Sequence, residues 1–175
     1  MRSVIRSIAT CLVCLPLLAA CGGNKNPLEV TVERCPAIAV IGGAGTLTEF
    51  AGSGRTADDV LFEATIADVS LACDQDSDVV SDVRFSIVVQ RGPALTGAMD
   101  IAIPYFVAVL RDNSEIVAKE IYAADIRLGA GDQRTIRRER IRQILPTIEQ
   151  ARRYDYEILI GFQLDPEHAA YNLVR

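Results

Sequence analysis

VRFSIVVQ, residues 83–90, alternates in character: Val83, Phe85, Ile87 and Val89 fall on one parity, with Arg84, Ser86, Val88 and Gln90 on the other. Successive side chains of a strand point to opposite faces, so the pattern predicts a strand with one face in a core. The same parity recurs in YEILIGFQL, residues 156–164, where Tyr156, Ile158, Ile160, Phe162 and Leu164 share a face. Two half-buried strands so far apart in the chain need further strands around them.

The surrounding sequence supplies them. In LFEATIADVSLAC, residues 61–73, the apolar parity runs Phe62, Ala64, Ile66 and then slips to Val69, Leu71, Cys73. A one-residue slip of that kind predicts a β-bulge near Ala67 and Asp68. IAIPYFVAVL, residues 101–110, is a nearly continuous apolar strand in which Pro104 argues for an edge or bulged position. RDNSE, residues 111–115, is a short polar connection into IVAKEIYAADIRL, residues 116–128, which predicts a hairpin. QRTIRRERIRQIL, residues 133–145, fits neither period well; its neighbours and spacing favour a strand over a short helix. DPEHAAYNLVR, residues 165–175, predicts a short terminal helix, with Asp165 as N-cap, Pro166 in the first turn and Glu167 beside it. About seven strands with turns between them and no long amphipathic helix predict an all-β, antiparallel sandwich of the immunoglobulin or fibronectin type III kind.

Several stretches suggest chemistry and then fall short of it. IAVIGGAGTL, residues 38–47, runs a strand into three glycines, but Thr48 stands where a dinucleotide loop needs its last glycine, and no helix follows. A strand end and loose loop is the expectation. Asp74, Asp76, Asp78 and Asp82 occupy calcium-loop positions, yet Val79 replaces the turn glycine and Phe85 the closing glutamate. A solvated hairpin loop is expected, leaving at most weak calcium binding. His168, the only histidine, has Asp165 and Glu167 nearby, and helix capping accounts for both neighbours. No cofactor, metal or catalytic constellation is indicated, so an enzyme is not expected.

One basic cluster stands out. Arg134, Arg137, Arg138, Arg140 and Arg142, with Arg152 and Arg153 beyond, crowd one stretch of a chain whose formal charge is −5. On a strand, Arg138, Arg140 and Arg142 share a face, which suits an acidic partner surface or anionic headgroups, unless Glu139 and solvent simply balance it. The acidic total argues against nucleic acid as a partner.

The opening of the chain gives an address. Arg2 and Arg6 precede IATCLVCLPLLAA, an apolar run of thirteen residues at 8–20. That is short of the roughly 20 residues a spanning helix needs, so residues 1–20 read as an export signal. Its removal would take the formal charge from −5 to −7 by discarding those two arginines. Leu18-Ala19-Ala20-Cys21 resembles the lipobox of bacterial lipoproteins: a branched residue, two small ones and a cysteine. The resemblance implies cleavage before Cys21, a diacylglyceryl group on its sulfur and acylation of the new amino terminus. Two or more acyl chains anchor a protein stably where one does not. Gly22, rather than Asp, follows the cysteine, which by the enterobacterial pattern implies the inner leaflet of the outer membrane, facing the periplasm. Residues 21–34 would then be the lipidated cysteine and a tether; its thirteen residues after Cys21 reach at most about 45 Å.

Cys11 and Cys14 leave with the signal, so Cys35 and Cys73 remain as a pair in an oxidising compartment, where a disulfide between an early strand and the next is expected. The folded domain is therefore placed at residues 35–175. Cys35-Pro36 and YDYEILIGFQLDPEHAAYN, residues 154–172, resemble small lipoproteins of alphaproteobacteria, with a tie to accessory lipoproteins of the outer-membrane β-barrel assembly machinery. The resemblance transfers no functional residue except Cys21. The expectation is a membrane-anchored, non-catalytic module that binds another envelope protein. The alternative is a carrier of lipid or another small apolar ligand.

Overall fold

A computed structural model describes residues 35–75, 79–145 and 156–174. The strands are β1 (Ala37–Val40), β2 (Thr46–Phe50), β3 (Val60–Gln75), β4 (Val79–Arg91), β5 (Met99–Arg111), β6 (Glu115–Leu128), β7 (Arg134–Leu145) and β8 (Tyr156–Phe162), followed by helix α1 (Pro166–Val174). They form two four-stranded sheets, ordered β1-β8-β5-β6 and β2-β3-β4-β7. Every pair is antiparallel except β1 with β8, which run parallel. The expected sandwich is present, with one strand more than the pattern counted. The extra strand is β2, whose TLTEF is too short to show a period and follows directly on the glycines.

The alternation read from the sequence is what fills the space between the sheets. Val83, Phe85, Ile87 and Val89 of β4 are buried, and face Ile101, Ile103, Tyr105, Val107 and Val109 of β5 together with Ile158, Ile160 and Phe162 of β8. The slip in β3 is a bulge: pairing with β4 jumps from Ala67↔Ser86 to Ser70↔Arg84, and Asp68 takes a left-handed φ of 53°. Two residues of β3 thus oppose Phe85 alone, and Val69, Leu71 and Cys73 stay turned toward the core despite the change of parity.

In immunoglobulin and fibronectin type III sandwiches, strands B and E are neighbours in one sheet and C and F in the other. Here β7 and β4 hold the first pair of places, and β8 and β5 the second. The interlocked crossings, β4 to β5 and β7 to β8, are the same. The glycines of residues 42–45 make a further crossing, from the first sheet to the second. Ala44 carbonyl accepts from Phe162 N–H at 2.7 Å, Gly45 carbonyl accepts from Ile66 N–H at 3.0 Å, and Gly43 has φ 78°. That backbone conformation strains any residue with a Cβ.

Two expectations need correction. Pro104 is not on an edge, since β5 lies between β8 and β6. It is tolerated because Pro104 carbonyl accepts from Gln163, just past the end of β8, so its missing N–H faces the side where that ladder has stopped. Cys35 and Cys73 are bonded, with Cα atoms 5.9 Å apart, but they do not join consecutive strands. The bridge runs from the residue two ahead of β1, in one sheet, to β3 in the other.

The hairpin between β5 and β6 turns through Asp112 and Asn113, with φ of 52° and 55°. Asp and Asn accept the left-handed region more readily than most residues. Arg91, at the end of β4, donates to the carbonyls of Leu95, Gly97, Gly129 and Asp132 at 2.5–3.0 Å, tying two connections together.

Candidate binding face on the second sheet

β7 is a strand along its whole described length, and it forms one edge of the second sheet. Its alternation sends Thr135, Glu139, Ile141 and Gln143 toward the sandwich and Ile136, Arg138, Arg140, Arg142 and Ile144 outward. The register with β4 sets the outer face in rungs: Val88 beside Ile136, Ser86 beside Arg138, Arg84 beside Arg140, Asp82 beside Arg142, and Val80 beside Ile144. An apolar rung closes each end, and four guanidinium groups share the middle with one carboxylate.

That carboxylate is committed. Arg140 makes a two-pronged contact with Asp82, Nε to Oδ1 at 3.0 Å and Nη2 to Oδ2 at 2.8 Å. The hydrogen bond from Arg140, aided by the charges of Arg142 and Arg84, holds the Asp82 carboxyl below the usual range. Arg84 and Arg140 stand directly opposite one another, an arrangement that destabilises a sheet unless something relieves it. Arg84, Arg138 and Arg142 have no hydrogen-bonded or ion-paired side-chain partner among the described residues. No described residue pairs with the outer edge of β7.

Arg137, grouped by sequence with the others, lies on the opposite parity. Its Nε donates to Glu139 at 2.7 Å, and Glu139 also accepts from the hydroxyl of Tyr105 at 3.2 Å. Tyr105 is 1% exposed, stacks on Tyr122 at 5.4 Å and meets Phe85 edge-on. Burial, with the Glu139 charge, pushes its phenol well above the usual tyrosine range. Arg137 therefore belongs to a polar link between the sheets, not to the basic face. Sequence reasoning missed Arg84, although its parity in VRFSIVVQ already placed it outward; only the register brings it to Arg140.

The other expected sites are quickly located. Cys21, Asp76, Asp78, Arg152 and Arg153 lie outside the described residues. In the calcium-like segment β3 runs to Gln75 and its antiparallel partner β4 begins at Val79, with Asp82 engaged by Arg140. His168 reaches Asp165 through Nδ1 at 2.9 Å and Glu49 through Nε2 at 3.3 Å, so it helps seat α1 against β2. Asp165 caps α1 as expected, its Oδ1 accepting from the N–H groups of Glu167 at 2.9 Å and His168 at 2.8 Å. Among the described residues no group of three or more His, Cys, Asp or Glu is arranged to hold a metal, and no helix is long and apolar enough to cross a membrane.

Fold and face together define an all-β sandwich in which the β7 edge is open and basic, the outer edge of β6 being likewise unpaired by any described residue. No family model, curated protein or solved structure matches the chain.

Proposed function

We propose that the chain is an exported lipoprotein, held through acylated Cys21 at the periplasmic side of the outer membrane, whose sandwich binds another envelope protein without catalysing a reaction. The observation that carries the reading is the open edge of β7, twelve residues long and faced with arginines. An unpaired edge offers a row of backbone donors and acceptors to an incoming strand, and proteins that need no such partner usually cover or shorten it. The lipobox supports the address, and the resemblance to accessory lipoproteins makes outer-membrane protein assembly the setting to examine first. Chemical crosslinking in envelopes followed by detergent extraction tests the reading: a discrete partner is expected, and repeated recovery of the chain alone would overturn it. Cys21→Ser should abolish lipid labelling and leave an unprocessed precursor.

A second reading has one observation in its favour. An open groove of about 290 Å³ runs between the β1–β2 turn, β5 and α1, lined by Ala44, Phe106, Leu164, Ala169 and Leu173 among others. A short acyl chain or similar apolar ligand is the occupant it suits. Native mass spectrometry of protein taken from envelopes would show non-covalently bound lipid, beyond any acyl chains on Cys21, on this reading and none on the first.

A further inference from the structure

The rungs of the outer face specify more than an anion. Directly opposed residues of neighbouring antiparallel strands hold their Cβ atoms about 4.5–5.5 Å apart, so a strand added to β7 would present one side chain to each outward residue. Those residues in order are Ile136, Arg138, Arg140, Arg142 and Ile144, with the two isoleucines 43% and 59% exposed. We propose that the open edge of β7 takes an extended segment of a partner protein bearing acidic residues at three alternating positions, with an apolar residue at each end of the alternation. This rests on the binding-module reading above and names the chemistry of the partner.

Three observations converge on that occupant. In the rungs between β4 and β7 four arginines meet one carboxylate, Asp82, which is already engaged by Arg140, so Arg138 and Arg142 are left for carboxylates on the strand added beyond β7. Arg84 and Arg140 oppose each other, and added negative charge on the next strand relieves that repulsion. The backbone edge itself is unpaired by any described residue, and an added extended strand fills such an edge in register. An anionic lipid surface would satisfy the charges but not the row of backbone groups. On the other parity the incoming strand would lie along Thr135, Arg137, Glu139, Ile141 and Gln143, where Arg137 and Glu139 neutralise one another, so no charge is demanded there. Nine residues span the alternation, about 30 Å of strand.

The test uses the full chain and two synthetic nine-residue peptides of identical composition. One alternates its three glutamates and ends in valine; the other carries the glutamates side by side. Fluorescence anisotropy near physiological ionic strength should show the alternating peptide binding about tenfold tighter. The preference should vanish on N-methylation of the peptide amides that face β7, and in the combined variant Arg138→Gln, Arg140→Gln, Arg142→Gln. Equal binding of the two peptides, or indifference to N-methylation, would overturn the proposal; both arms use unaltered protein, so they hold even if the triple variant fails to fold. Arginine-dependent binding to phosphatidylglycerol vesicles without discrimination between the peptides would overturn it in favour of a lipid surface. Recovery of a crosslinked partner attached elsewhere, with no peptide preference, would remove this inference and leave the binding-module reading standing.

Discussion

The second sheet has two edges, treated in opposite ways. At β2 the chain lays α1 across the strand: Asn172 donates to the carbonyls of Gly43 and Thr46 at 2.7 Å each, Phe50 meets Tyr171 edge-on at 5.0 Å, and Arg55 lies over the Phe50 ring while contacting Glu167. At β7 nothing described covers a strand more than twice as long. Covering an edge contributes buried area and removes it from competition; lining it with like charges keeps it solvated and discourages pairing with a second copy. One edge serves the stability of the domain, and the other is the edge proposed to receive a partner of opposite charge.

Changes on the covered side should therefore cost stability, and changes on the open side should cost binding. The largest loss belongs to the disulfide: replacing Cys35 and Cys73 by serine should lower unfolding free energy by roughly 3–4 kcal/mol, since the bridge closes a loop of 38 residues. A urea midpoint that hardly moved would show that the bridge does not brace the fold. Phe50→Ala removes a buried ring and its contact with Tyr171, and should cost about 3 kcal/mol, with amide exchange in α1 rising first.

The link between the sheets on the open side should show itself in alkali. Burial, and then the hydrogen bond to Glu120, push Tyr122 up to about 12. A phenol raised on folding lends its stability fully below the unfolded value near 10 and loses it as pH rises toward the folded one. Ultraviolet titration should reveal late ionisation whose amplitude Tyr122→Phe reduces, Tyr105 supplying the rest; an unchanged profile would contradict the burial of Tyr122 and its bond to Glu120.

On the acid side both edges contribute. Asp165 is held low chiefly by the backbone N–H of His168, and Asp82 chiefly by Arg140. Carboxyls lowered on folding lend stability above about pH 4 and surrender it as pH falls through their folded values. Asp165→Asn keeps a capping oxygen but should flatten part of that acid decline, measured as the dependence of melting temperature on pH. The smallest effect on stability belongs to the arginines. Arg138→Gln or Arg142→Gln should leave the melting temperature unmoved while weakening capture of a partner, and a marked loss of stability would assign them to the fold instead.

Strands whose alternation reports a face were legible in the sequence, because one side of each is buried and the period follows directly. β4, β8 and the bulge of β3 belong to this class, and the N-cap of α1 was legible from its local Asp-Pro-Glu sequence. What hid from view depends on partners distant in the chain. β2 is too short to carry a period, Pro104 is allowed by where β8 ends, and Arg91 acts on two connections that only the fold brings together. The candidate face was half legible: the parity of Arg138, Arg140 and Arg142 followed from a strand, whereas Arg84, Asp82 and the exclusion of Arg137 required the register between β4 and β7.

The bridge at Cys35 also determines where mechanical load would enter the domain. Any pull on the chain ahead of Cys35 reaches that residue before it reaches the four residues of β1. The sulfur bond passes the tension straight to β3, a sixteen-residue strand paired with the long β4, and spares the short parallel ladder with β8. Were the domain held at its N-terminal end, as proposed, the cysteine pair would work as a strain relief, so that a pull there would not peel the first strand away.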